Sequence, residues 1–131
     1  MSKEYWSCIF LALVLSGCAS SGSHTIKPVS PSAVALDDDQ VRSTLIGNKL
    51  HNVGPTGLPY SLSFNADGTE IFKMSGNPPE TEHWTVKDGV ICFTSPKIPK
   101  ECYRLKKDND DYWLVDPQTG AVHYHYTLTA Q

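Results

Sequence analysis

Near the C-terminal end of the chain two histidines flank a tyrosine, His123-Tyr124-His125. In a strand both imidazoles leave from one face, about 6 to 7 Å apart, while Val122, Tyr124, Tyr126 and Leu128 point to the other. Neutral imidazoles so placed can share a zinc ion if a neighbouring strand supplies a third ligand, for which His51 and His83 are available. The competing reading packs the tyrosine face on a core and leaves the histidines in solvent. No third ligand is defined by the sequence, so the second reading is adopted. No metal and no cofactor is assigned, and His123 and His125 stand only as candidates.

The acidic residues offer less. Glu80 with Glu82, and Asp108 with Asp110 and Asp111, fall in turn-like polar stretches where solvation accounts for them; general-acid work requires one of them buried with a raised pKa. No nucleophile elbow Gly-x-Ser-x-Gly, no His-Glu-x-x-His, no phosphate loop Gly-x-x-x-x-Gly-Lys and no Gly-x-Gly-x-x-Gly occurs. The chain is therefore read as not an enzyme. Aromatic residues are numerous, and most belong in a core. An up-and-down barrel can instead line a cavity with them, which makes Tyr60, Trp84 and Trp113 the candidate binding residues.

Cysteine chemistry fixes a compartment. The chain of 131 residues opens with Lys3, then the apolar run Ile9–Leu15, then Ser16, Gly17 and Cys18. A membrane span needs roughly 20 apolar residues, so this run is too short to cross and reads as a secretory signal. Leu15-Ser16-Gly17-Cys18 resembles the lipobox of bacterial lipoproteins. That resemblance implies cleavage before Cys18, acylation of its thiol and new amino group, and, with Ala19 following, sorting to the outer membrane facing the periplasm. Two or three acyl chains together make a durable membrane anchor. Cys8 leaves with the signal, and Cys92 and Cys102 remain in an oxidising space, which predicts one disulfide between them.

These features divide the chain into residues 1–17, a lipoprotein signal; 18–39, a lipidated cysteine and a flexible Ser/Pro-rich tether; and 40–131, one small domain. In "DDDQVRSTLIGN" the aspartates suit an N-cap and first turn, and Val41, Leu45 and Leu36 share a face, which predicts one short helix covering an end of the domain. Period-two runs follow. "YSLSF", "EIFKM", "HWTV", "VICFT", "CYRL", "YWLV" and "AVHYHYTL" read as strands, separated by turns such as "NADGT" and "KDG". An antiparallel meander of about six to eight strands, mainly all-β, curls into a small barrel or half-barrel because closure removes exposed edges.

The runs "LIGNKLHN", "PYSLSFNADGT", "HWTVKDGVICF" and "ECYRL" resemble small bacterial envelope lipoproteins in which a Gly-Asn pair, Asp-Gly-Thr, Trp-x-Val and two cysteines recur in this order. The resemblance covers about 41–115, implies the β fold and the Cys92–Cys102 bond, and transfers no catalytic residue. "GLPYSL" is also similar to a loop of periplasmic lysozyme-inhibitor lipoproteins, although that family's tyrosine before a cysteine and an acidic residue is missing here. With a formal charge of −3 and no basic stripe, nucleic acid is excluded as a partner. The expected function is a membrane-anchored, non-enzymatic module that binds an envelope protein or cell-wall component. The alternatives are a lipocalin-like carrier of a small ligand and an inhibitor of a lysozyme or protease.

Overall fold

Alternation along the strands builds the wall of the molecule. On β3 (Pro59–Phe64) Leu62 and Phe64 are buried, on β5 (Glu80–Lys87) Trp84 and Val86, and on β6 (Val90–Thr94) Ile91 and Phe93, each two residues apart and so on one face. The computed structural model describes residues 25–131. The signal-like run and Cys18 lie outside the described residues. The remaining strands of the wall are β2 (Asn48–Val53), β4 (Thr69–Met74), β7 (Glu101–Asp108), β8 (Asp111–Val115) and β9 (Val122–Ala130).

Each strand pairs antiparallel with the next, and β9 returns to β2 with Leu50 opposite Leu128. The result is a closed up-and-down barrel of eight strands, β2 to β9. Closure leaves none of the eight with a free edge. Seven of these strands are the period-two runs of the sequence. The eighth, β2, was not among those runs, because Leu50 is its one buried residue and it carries little alternation.

Tight turns set the register. Between β5 and β6 both Asp88 (φ 52°) and Gly89 (φ 74°) are left-handed, the geometry that matches the twist of a two-residue hairpin. At Gly89 the left-handed backbone calls for glycine, whereas the nearest atom a side chain would meet, Arg104 Nη1 at 2.8 Å, is the end of a flexible side chain that can move aside. Between β3 and β4, Asp67 Oδ1 accepts from the Thr69 backbone at 2.9 Å and from its hydroxyl at 2.6 Å.

One end of the barrel is stoppered by the helix α1 (Asp38–Leu45). Asp37 caps it, accepting from the Gln40 backbone at 2.8 Å while the Gln40 side chain accepts from the Asp37 backbone at 3.0 Å. Val41 and Leu45 are 0 % and 1 % exposed, so the apolar stripe of the helix faces inward as the spacing predicts. The Asp38 carboxylate accepts from the backbones of Asp88 and Gly89, and the Arg42 guanidinium stands 5.8 Å over the Trp84 ring. Beneath it, Phe64 and Trp84 meet edge to face at 5.5 Å, and Trp84 Nε1 donates to the carbonyls of Asn65 and Thr69. This end is solid.

The boundary read at residue 39 moves toward the N-terminus. From Lys27 onward the chain lies along the barrel instead of hanging free: the Lys27 carbonyl accepts from Trp113 Nε1 at 3.0 Å, and its ammonium meets Asp111 at 2.7 Å. Ser32 donates to Asp108, β1 (Val34–Ala35) pairs with Lys107 and Lys106 of β7, and the Leu36 backbone donates to Leu105. The physical reason is Trp113. It is out of phase with the inward Tyr112 and Leu114, so it projects outside the wall, and its 0 % exposure requires a cover.

Candidate functional site

The end opposite α1 is built differently. Here lie the longer connections, residues 54–58, 75–79, 95–100 and 116–121, and no helix stoppers them. Between them the barrel opens on a cavity of about 330 Å³. Gly54 and Pro55 of the first connection and Ile98 of the third border its mouth. Inside, the same period-two phase that buries Leu62 and Phe64 delivers Tyr60 from β3, and Phe72 and Met74 from β4. Tyr103 comes from β7, and Tyr124 and Tyr126 from β9.

The tyrosines are interlocked. Tyr60 stands edge-on to Tyr126 at 6.1 Å and Tyr103 edge-on to Tyr124 at 5.7 Å, with Phe72 5.4 Å from Tyr60. Asn52 Nδ2 donates to Tyr60 Oη at 3.1 Å, Tyr60 Oη donates to Tyr126 Oη at 3.3 Å, and Tyr103 Oη donates to Glu101 Oε2 at 3.0 Å. Burial pushes the hydroxyls of Tyr103, Tyr124 and Tyr126 upward from the ordinary phenol value, the bond to Glu101 adding to the first. All three stay neutral and able to donate.

Three carboxyl groups face this aromatic lining: Glu70, Glu82 and Glu101. Glu70 is the most unusual side chain in the molecule. It is 0 % exposed, the one buried charged residue among the described residues, and neither of its oxygens has a partner in hydrogen-bond geometry. Glu82 lies directly across the β4–β5 ladder from it. Burial first, then the charge of the neighbouring Glu82, push the Glu70 carboxyl up to about 9. Glu70 therefore holds its proton at neutral pH. No lysine, arginine or histidine is among the lining residues.

Of the three aromatic residues singled out from the sequence, Tyr60 reaches the cavity. Trp84 belongs to the solid floor, and Trp113 lies outside the wall beneath the N-terminal segment. Glu80 and Glu82 are not in a turn: β5 begins at Glu80, so Glu82 is in phase with Trp84 and points inward, while Glu80 pairs with Lys97 at 2.6 Å. Asp108 and Asp111 hold the N-terminal segment, and hydrogen bonds hold both below the usual carboxylate range: from Ser30 and Ser32 to Asp108, from Lys27 and His125 to Asp111. His125 Nε2 meets Asp111 Oδ1 at 2.7 Å and its ring lies 5.4 Å from Trp113.

His123 is exposed beside Tyr103, and His51 Nε2 shares a proton with Thr129 Oγ1 at 2.6 Å. Among the described residues no group of three or more His, Cys, Asp or Glu side chains is arranged to hold a metal ion. Cys92 and Cys102 are bonded across β6 and β7, where they face each other in the ladder with Cα atoms 4.1 Å apart. Cys18 lies outside the described residues.

Sequence reasoning passed over Glu70. The signal was present: in "EIFKM" Glu70 is in phase with Phe72 and Met74, which places a carboxylate on the inward face of a strand. Compared with known proteins, the chain matches no family model, no curated protein and no solved structure.

Proposed function

We propose that this protein is a non-enzymatic binding barrel of the bacterial cell envelope, anchored through lipidated Cys18 at the outer membrane facing the periplasm, that takes a small ligand into its open end. One observation carries the reading: a closed barrel stoppered at one end by α1 and open at the other on an aromatic cavity of about 330 Å³. Small-molecule sites run from roughly 300 to 1,000 Å³, so the ligand is at the small end of that range. An inhibitor would push a loop outward into an enzyme's cleft. Here the residues that border the mouth, Gly54, Pro55 and Ile98, line the cavity instead, which favours a small ligand over an envelope protein or a hydrolase.

The lipobox-like tetrad supports the anchor. Residues 18 to 25 span at most about 25 Å when extended, and Thr25 lies beside Asn52 and Val53 toward the mouth end of β2. Under this reading the anchor holds the mouth side of the barrel near the bilayer. Two measurements test the proposal. Wild-type protein incorporates labelled fatty acid and sediments with membranes, whereas Cys18→Ser does neither; equal behaviour removes the anchor. A small aromatic fluorophore binds the folded protein, and Leu114→Trp, which fills the cavity, abolishes the signal; no binding to wild type removes the barrel's proposed role.

A further inference from the structure

We infer that the ligand is a small organic cation, an ammonium or amidinium group on an apolar body, with its charge held between Glu70 and Glu82 and its body against Tyr60, Phe72 and Tyr124. The inference rests on the binding-barrel reading and specifies its ligand. Charge complementarity is the first argument. Three carboxyl groups line the cavity and no cationic side chain does, so an anion is repelled and a cation is the one ligand that neutralises the site.

The second argument is the burial of Glu70. It is fully buried, it lines the cavity, and both oxygens lack partners, whereas the other buried polar groups of this region are bonded to one another. A buried carboxyl with no partner is destabilising, and a neutral apolar ligand leaves it so. A cation supplies the missing partner. The aromatic walls are the third argument, since the faces of tyrosine and phenylalanine attract a desolvated cation and cover its apolar part. A bare metal ion does not fit, because the carboxyl groups are not gathered in coordinating geometry.

Binding is coupled to a proton. The Glu70 carboxyl ionises as the cation arrives, so one proton leaves to solvent and a carboxylate–cation pair replaces the O–H bond. The titratable groups facing Glu70 are Glu82 from β5, Glu101 and Tyr103 from β7, Tyr60 from β3, and Tyr124 and Tyr126 from β9. Burial raises the hydroxyls of Tyr103, Tyr124 and Tyr126 away from this range, and Glu70 is the group that releases the proton.

The experiment uses two probes of one shape, benzamidinium, whose N–H groups can donate, and the uncharged α-methylstyrene, titrated calorimetrically into the protein in buffers of different ionisation enthalpy. The cation is expected to bind about tenfold or more tighter than the hydrocarbon, to release about one proton at pH 7, and to gain affinity between pH 6.5 and 8.5. Glu70→Gln, folded by circular dichroism, is expected to lose the proton release and most of the preference. Equal or tighter binding of α-methylstyrene overturns the ligand class and leaves the binding barrel standing. A preference for the cation that survives in Glu70→Gln overturns the assignment to Glu70. If neither probe binds, the inference falls, and the fluorophore test decides the barrel reading separately.

Discussion

Glu70 should make the ligand-free protein less stable as the medium becomes more alkaline. Its carboxyl titrates near 9 in the fold against 4.5 for a solvated glutamate, so between those values the native state holds a proton that the unfolded chain has lost. Stability then falls with rising pH, by up to about 1.4 kcal/mol per unit. From the acid limit to pH 7 the interval is 2.5 units above the solvated value of 4.5, or about 3 kcal/mol, a large part of the roughly 5 to 15 kcal/mol that holds a domain of this size together. Glutamine keeps the shape and does not ionise. Glu70→Gln should therefore gain about 2 to 3 kcal/mol at pH 7, less at pH 5, and lose the slope. The assay is urea denaturation of both proteins at pH 5, 6, 7, 8 and 9. The clearly lowered carboxyls, Asp67, Asp108, Asp111 and Asp116, contribute stability that is lost only as pH falls below their ordinary value of 3.8, so they leave this window clear. Parallel pH profiles for the two proteins would refute the argument, because they would mean that Glu70 is solvated or already paired.

The disulfide closes a loop with a sequence separation of 10, so replacing Cys92 and Cys102 by alanine should cost about 2.7 kcal/mol in the chain-entropy account, read as a lower urea midpoint with an increased m value. Asp37→Ala removes the capping box of α1 and should cost about 1 kcal/mol in the same assay, with Asp37→Asn recovering most of it. Leu45→Ala opens a void under the stopper at a position 1 % exposed and should cost about 2 to 5 kcal/mol, while fluorophore binding at the far end of the barrel is retained.

What was legible in the sequence followed from phase. Tyr60, Leu62 and Phe64 alternate with serines, so β3 and its buried face could be read directly, and the run of aspartates announced the helix start. The disulfide followed from compartment and count. What was not legible depended on closure. β2 has a single buried residue, and its place between β3 and β9 is decided by partners far away in sequence. Trp113 and Trp84 have the same residue type and both are buried, yet one is roofed by residues 80 or more positions earlier and the other forms the floor. Glu70 was passed over for a different reason. Composition puts glutamate at the surface, and only the strand's phase, taken in preference to residue type, places it inside.

The stopper and the cavity are one construction. Arg42 of α1 stands over Trp84, and Trp84 Nε1 is bonded to the carbonyls of Asn65 and Thr69, so the helix fixes the tryptophan and the tryptophan fixes the residue adjoining Glu70. Phe64 completes this floor, and Glu70 is its ladder partner across β3 and β4. The apolar layer that lets so small a domain fold thus also deprives Glu70 of solvent. The disulfide acts at the other end without entering the site, because Cys92 and Cys102 are out of phase with the inward Phe93 and Tyr103 and tie down the roots of the connection that carries Ile98 to the mouth. Burial by the floor makes the carboxyl reactive to charge. The carboxyl also borders the cavity, so stability and the proposed recognition meet at a single side chain.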